Sequence, residues 1–276
     1  MLVSPKQMIL LAQEYGYGIG CFNTSNLEIT KAILAAAVAQ KSPVIISTSE
    51  KAIEYASLET LTAIIREEAA KASVPVALHL DHGKSIEMVK KCLAAGYTSV
   101  MFDGSSFDFE ANKHLTSQAV VMAHAQNIPC EGELGALGKA GQSQSSLTNP
   151  DEAAEFVQNT GIDFLAVSVG SEHGHGANEI LDIPLLQKIH SLVPQALVLH
   201  GASGVSDQDI RQAIDSGICK INIDTDIRHT FSASVRSITQ KFPEMNDSRE
   251  IMIKVMAEIQ KLVEQKIQLF GSNNKA

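Results

Sequence analysis

The chain has no apolar run long enough to cross a bilayer. The longest, Ala32 to Ala39, falls well short of the roughly 20 residues that a spanning helix needs. Its start reads as a helix, with Ser4 as cap and Pro5 at the first position, rather than as a targeting segment. Positive charge is scarce: 22 Lys and Arg stand against 31 Asp and Glu, a formal net charge of −9. That leaves no basic footprint for nucleic acid, so an anionic substrate has to be captured by a local set of donors. Paired cysteines are missing too. Cys21, Cys92, Cys130 and Cys219 lie far apart without any C-x-x-C spacing, and three of them fall in expected strands. Buried free thiols in a reducing compartment are therefore the favoured reading, and zinc ligation by them the lesser one. Together these features predict a cytoplasmic protein that engages neither membrane nor nucleic acid. No Pro/Ser-rich or like-charged stretch divides the 276 residues, which at 45% hydrophobic can bury a large core.

Short β-branched runs recur along the chain and predict eight strands: Gly18 to Phe22, Pro43 to Thr48, Val76 to Asp81, Thr98 to Asp103, Ile128 to Glu133, Asp163 to Val169, Ala196 to His200 and Cys219 to Ile223. Helical apolar spacing fills the intervals, as in Ile29 to Ala39, Leu58 to Ala70, Ile86 to Ala95 and Ile183 to Leu192. The punctuation agrees, since Gly96, Gly161 and Gly217 follow helical stretches while Asn149-Pro150 and Ser206-Asp207 precede them. Eight β/α units close most naturally into an α/β fold of the (β/α)8 TIM-barrel type, one domain over residues 1–276 with a helical extension from near Glu244. An open doubly wound sheet is the runner-up, but its Gly-rich first turn is absent: the turn reads Cys21-Phe22-Asn23-Thr24-Ser25-Asn26.

Polar residues gather at the expected C-terminal strand ends, where a barrel carries its active site: Asn23, Asp81, His82, Asp103, Glu133, His173, His200, Asn222 and Asp224. His82, His173 and His200 close three different strands. A catalytic zinc takes three protein ligands and keeps one position open, so three histidines at one rim fit that count, although a single strand histidine is more often a packing residue. Asp81 and His82 are adjacent and would face opposite sides of a regular strand, so both serve the pocket only if the chain leaves extended geometry there, a turn Gly83 permits. Asp81 then acts either as support for the ligand or, preferably, as a proton acceptor and donor to a substrate hydroxyl. Gly201-Ala202-Ser203-Gly204 and Asn222-Ile223-Asp224-Thr225 follow the last two strands, where barrels often hold a phosphate by backbone N–H groups and a helix N-terminus.

The ordered motifs H-L-D-H-G, S-V-M-F-D-G-S, E-G-E-L-G, V-G-S-E-H-G, L-H-G-A-S-G and K-I-N-I-D-T-D resemble those of the class II, metal-dependent ketose-bisphosphate aldolases, from about Phe22 through Arg249. The resemblance implies reversible cleavage of fructose 1,6-bisphosphate into dihydroxyacetone phosphate and glyceraldehyde 3-phosphate. It assigns zinc to His82, His173 and His200, with Glu133 as an alternate ligand, and the proton of the C4 hydroxyl to Asp81. Gly174, Gly201, Ser203, Asp224 and Thr225 would bind the ketose phosphate, Asn222 the ketotriose oxygens and Asn23 also the substrate, with Asp103 a further rim candidate. A monovalent cation, Na⁺ or K⁺, near the Gly174 and Gly201 loops and a homodimer in which Arg249 reaches the neighbouring site's second phosphate are further implications. A Schiff-base mechanism would need a desolvated lysine; Lys220 is the best candidate, but it stands before the rim.

The sequence departs from the family in two places. Many relatives carry a carboxylate in a G-G-x-E-D loop, where this chain has Gly138-Lys139-Ala140-Gly141-Gln142-Ser143. Many also carry H-G-x-Y-K, where this chain has His173-Gly174-His175-Gly176-Ala177. The base for the dihydroxyacetone phosphate proton is thus unassigned; Lys139 is a candidate for the missing phosphate-assisting lysine, and His175 either contacts phosphate, replaces the missing base or is merely solvated. Two other readings stay open at this point: an aldolase for another phosphoketose such as tagatose 1,6-bisphosphate, and a metal-binding barrel without catalysis.

Overall fold

The computed structural model describes residues 2–136, 146–172, 174 and 180–276. Eight strands run through it: β1 (Ile19–Asn23), β2 (Val44–Ser49), β3 (Val76–Gly83), β4 (Ser99–Phe102), β5 (Cys130–Leu134), β6 (Phe164–Val167), β7 (Ala196–Leu199) and β8 (Ile218–Ile223). They pair in parallel and in sequence order, and β8 returns to β1, so the sheet closes into the expected (β/α)8 barrel. The helices are α1 (Pro5–Tyr15), α2 (Leu27–Ala39), α3 (Glu50–Ala56), α4 (Leu58–Lys71), α5 (Ile86–Ala95) and α6 (Phe109–His124). After them come α7 (Pro150–Thr160), α8 (Ile183–Leu192), α9 (Asp207–Asp215), α10 (Thr225–Lys241) and α11 (Ser248–Phe270). Among the described residues no helix is long and apolar enough to cross a membrane.

Local chemistry sets the helix boundaries. Ser4 accepts from the Lys6 amide ahead of Pro5, Asn149 accepts from Asp151 and Glu152 ahead of Pro150, and Ser206 accepts from Asp209. At the other ends Gly16, Gly96, Gly161 and Gly271 adopt the left-handed conformation that stops a helix. Gly217 also has positive φ but stands one residue beyond the Ser216 cap of α9.

Strand alternation sorts the side chains into two cores. Leu78, Leu80, Val100, Leu165, Leu197 and Ile221 face the surrounding helices in the larger one. Ile19, Cys21, Ile45, Ala77, Met101, Ala166 and Val198 fill the barrel interior, closed at its N-terminal end by Met8, Ile9 and Ala12 of α1. All four cysteines are free and buried, and burial pushes the Cys21, Cys92 and Cys219 thiols up to about 12, so they serve as small apolar fillers.

The C-terminal helix α11 buries Val255, Ile259, Val263, Ile267 and Phe270 as one stripe. It packs on α2, α10 and β1. Each such side chain contributes roughly 1.5–3 kcal/mol by burial. Beyond α11 the chain is tied back by Asn274 and Ala276 amides to the carbonyls of Gln40 and Lys41.

Two register irregularities bear on the site, one at the rim and one inside the barrel. Between β3 and β4, Leu80 pairs with Val100 but Gly83 with Phe102, so β3 carries one extra residue at its end. Between β7 and β8, Leu197 pairs with Ile218 but Val198 with Lys220, which makes Cys219 the extra residue and turns Lys220 inward beside it.

Candidate active site

The β3 irregularity solves the problem posed by adjacent Asp81 and His82. His82 itself takes positive φ, 50°, so the departure from extended geometry falls on the histidine and not on Gly83. The His82 amide is satisfied by Met101 Sδ at 3.4 Å. Gly83 is needed for a different reason: a Cβ there would stand 2.6 Å from the Met101 carbonyl oxygen and 2.7 Å from Leu80 Cδ2. With this kink both side chains face the mouth of the barrel.

Asp81 is buried and held from two sides. Asn23 Nδ2 donates to its Oδ2 at 2.7 Å and Asn222 Nδ2 to its Oδ1 at 2.9 Å. Each amide is itself oriented, because Ser47 Oγ donates to Asn23 Oδ1 and Lys220 Nζ donates to Asn222 Oδ1. Burial opposes ionisation of Asp81, but His82, His200, the Asn23 amide and Lys220 outweigh it and hold its pKa at about 2. The group is therefore an acceptor at neutral pH.

His82 and His200 are arranged alike. Asp103 Oδ2 lies 2.7 Å from His82 Nδ1, and Glu131 Oε1 lies 2.8 Å from His200 Nε2. A carboxylate on one ring nitrogen fixes the tautomer and turns the other nitrogen inward, the pattern of metal-ligating histidines. The inward nitrogens, His82 Nε2 and His200 Nδ1, stand 3.9 and 3.7 Å from Asp81 Oδ1, and the two rings meet edge to face at 4.5 Å between centroids. Burial disfavours a charged His82, yet Asp81, Asp103 and Glu133 outweigh it and raise its pKa well above the ordinary value. Among these residues a cation is electrostatically welcome, whether proton or metal.

Glu133 completes the wall. Its Oε2 is buried, has no hydrogen-bond partner among the described residues, and lies 3.3 Å from His82 Nδ1. Burial and the neighbouring Asp103 carboxylate push its pKa up, with His82 opposing. Two overlapping groups, Asp81, His82 and His200, and His82, Asp103 and Glu133, bring ligand atoms within 4.8 Å of one another. Nitrogen and oxygen donors at this spacing, with a buried carboxylate oxygen lacking a hydrogen bond, fit a divalent cation of the zinc type. His173, the third histidine expected at this site, lies outside the described residues, as do Lys139, His175 and the 138–143 loop.

Around the charged centre opens a cleft of about 1020 Å³. Gly174, Gly201, Ser203, Asn222, Asp224 and Thr225 line one side of it. Gly201 has positive φ, 67°, and a Cβ there would stand 2.5 Å from the Glu172 carbonyl oxygen, so the loops after β6 and β7 approach as only glycine allows. Ser171 Oγ closes the same junction by donating to the His200 carbonyl. Asp224 precedes α10 without capping it by its side chain; its carboxylate takes Arg228 Nε at 2.9 Å instead. Ser203 Oγ accepts from the Asp226 amide and joins the β7 loop to the first turn of α10.

The opposite side of the cleft has no counterpart in the sequence motifs. Lys51 and Tyr55 of α3 line it together with Lys84, which pairs with Asp103. The short α3 shows no long apolar period, and Lys84 follows D-H-G without a motif of its own, so neither carries a signal beyond proximity to the strand ends. Sequence reasoning misses Glu131 as well, although its place two residues before Glu133 puts it on the same inward face of β5. Arg249 is 85% exposed, pairs with Asp247 at 2.6 Å, and does not line the cleft of its own chain.

Lys220 is 1% exposed inside the barrel, donating to Asn222 and pairing with Glu131 Oε2 at 2.9 Å. Burial favours its neutral form, but Cys21, Glu131 and Asp81 outweigh it and hold the ammonium above the ordinary lysine range. Charged and outside the lining of the cleft, this amine is poorly placed to act as a carbonyl nucleophile in a Schiff-base mechanism.

Comparison with known proteins agrees with this geometry. The model of the class II fructose-bisphosphate aldolase family matches residues 3–275. The chain is 41% identical to the fructose-bisphosphate aldolase of Thermus caldophilus, covering 100% of both chains, and 41% identical to that of Geobacillus stearothermophilus, covering 100% of this chain and 99% of the other. Among solved structures, the YdjI aldolase from Escherichia coli K12 superposes with a TM-score of 0.91 at 37% identity over 100% of both chains. The barrel with this charged mouth thus belongs to the class II fructose-bisphosphate aldolase family, a family of metal-dependent lyases.

Proposed function

We propose that the protein cleaves fructose 1,6-bisphosphate reversibly to dihydroxyacetone phosphate and glyceraldehyde 3-phosphate, with zinc as its metal. The observation that carries this reading is the setting of Asp81: an ionised carboxylate, clamped by two amides, beside two histidines that each turn a carboxylate-backed ring toward it.

His82, His200 and His173 would hold the zinc, with Glu133 positioned as an alternate ligand. When bound, the metal supplies Lewis-acid polarisation of the ketose oxygens and stabilises the negative charge that C–C cleavage leaves behind. Asp81 takes the proton of the C4 hydroxyl as the C3–C4 bond breaks and returns it in condensation. Asn222 and Asn23 keep its two oxygens at fixed positions and, with the cleft walls, orient the substrate chain. The ketose phosphate lies against Gly174, Gly201, Ser203 and Thr225, where backbone N–H groups and the start of α10 favour an anion. Asp224, drawn to Arg228, offers its amide and not its carboxylate.

A monovalent cation, Na⁺ or K⁺, beside the Gly174 and Gly201 loops would add positive charge near that phosphate. Arg249 stands outside the lining of its own cleft and suits a second phosphate bound by a neighbouring subunit, which a homodimer would supply; sedimentation of the active enzyme as a monomer would contradict this. The acidic chain and reduced, buried thiols suit the cytoplasm.

The test is kcat/KM for fructose 1,6-bisphosphate against tagatose 1,6-bisphosphate, with dihydroxyacetone phosphate measured as product. Preference for the fructose ester supports the reading. Preference for the tagatose epimer would reassign the substrate while keeping the chemistry.

A further inference from the structure

We propose that Lys220 is a positioning residue that sets both halves of the active centre from inside the barrel, the metal-ligand half through Glu131 and the proton-transfer half through Asn222. This inference rests on the functional reading above for its catalytic half only.

One ammonium makes both contacts. Lys220 Nζ donates to Asn222 Oδ1 at 2.7 Å and pairs with Glu131 Oε2 at 2.9 Å. Along the first arm, occupying the amide oxygen of Asn222 leaves its Nδ2 to donate, and it does so to Asp81 Oδ1 at 2.9 Å. Reversing that amide would set an N–H group against the ammonium and an oxygen against the Asp81 carboxylate, so the lysine dictates the orientation. Along the second arm, Glu131 holds Lys220 with one oxygen and His200 Nε2 with the other, 2.8 Å away. A carboxylate so paired only accepts, which places the His200 proton on Nε2 and turns Nδ1 toward Asp81 and the metal position.

Packing alone does not explain a charge there. Cys21, Met101, Ala166 and Val198 fill the barrel interior around it, alongside the buried polar residues Glu131 and His79, whose Nε2 lies 3.8 Å from Glu131 Oε2. An ion pair this deep is seldom a net stabiliser relative to apolar packing of equal volume. The Cys219 irregularity of β8 brings Lys220 to the interior face and makes the arrangement possible.

The experiment uses the full chain loaded with Zn²⁺ or Co²⁺. Lys220→Met is expected to weaken Zn²⁺ affinity by about 10–100-fold in competition with a chromophoric chelator. It is also expected to shift the visible absorption of the Co²⁺ form and to lower kcat on fructose 1,6-bisphosphate by about 100-fold or more with little change in KM. Glu131→Gln, which keeps the Lys220–Asn222 arm, should reproduce the affinity loss and altered spectrum while retaining more of kcat. A folded Lys220→Met protein with wild-type affinity and Co²⁺ spectrum, changed only in thermal stability, overturns the proposal. Should that variant not fold, wild-type affinity and spectrum in Glu131→Gln overturn it equally. If the wild-type enzyme binds metal but cleaves neither sugar bisphosphate, the functional reading fails instead, while the affinity and spectrum of the variants still decide whether Lys220 positions the ligand.

Discussion

Asn222 donates its side-chain amide to Asp81 at 2.9 Å across 141 residues of sequence, joining the end of the last strand to the end of the third. With the Asn23 amide on the other oxygen, it makes Asp81 a carboxylate whose two acceptor edges are already aimed. Such a group moves a proton with little reorganisation.

Asp81→Ala should therefore keep the bound metal and lower kcat by about 10²–10⁴-fold, the range for a lost general base. Metal content by atomic absorption and steady-state cleavage read the two effects separately. Loss of the metal together with activity would instead make Asp81 a ligand, a role its place in the Asp81, His82 and His200 group also allows.

Gly83→Ala should destabilise the fold by about 1–3 kcal/mol, because the new methyl group would press on the Met101 carbonyl and Leu80. Urea titration measures the loss. Since the same strand end carries Asp81 and His82, kcat should fall with it; wild-type stability in the Gly83→Ala variant would show that the β3 end yields freely.

Asp163 offers a pH-dependent prediction away from the site. It accepts from Lys6 at 2.7 Å, His124 at 2.8 Å and the Cys130 amide at 2.9 Å. Burial opposes its ionisation, but these partners outweigh it and lower its pKa in the folded state. Its stabilisation is thus fully present above the unfolded carboxyl pKa of about 3.9 and is lost as pH falls through the lower folded value. Asp163→Asn should cost about 1–2 kcal/mol at neutral pH, and the gap to wild type should narrow in acid. Parallel denaturation curves at pH 7 and pH 3 measure it; a gap that widens in acid would contradict the assignment.

How far the sequence speaks for itself depends on range. α5 and α8 are read to their ends because apolar spacing and stop signals such as Gly96 act within one or two turns. The strand ends likewise announce their polar residues. What the sequence conceals depends on register. Gly83 invites a turn, yet the left-handed residue is His82, because the extra residue in β3 becomes visible only once β4 is paired with it. Lys220, which the sequence offers as a nucleophile standing short of the rim, is inward through the displaced Cys219 and meets Glu131 from the far side of the barrel. Pairings across 69 residues, such as His200 with Glu131, leave no periodic trace.

Metal dependence is the central claim, and chelation tests it most directly. Cleavage of fructose 1,6-bisphosphate is measured on the purified protein, after dialysis against EDTA, and after Zn²⁺ is returned. The geometry of His82, His200, Asp81 and Glu133 predicts activity lost on chelation and restored by zinc. Full activity in the metal-free protein, with borohydride trapping substrate on Lys220, would contradict it.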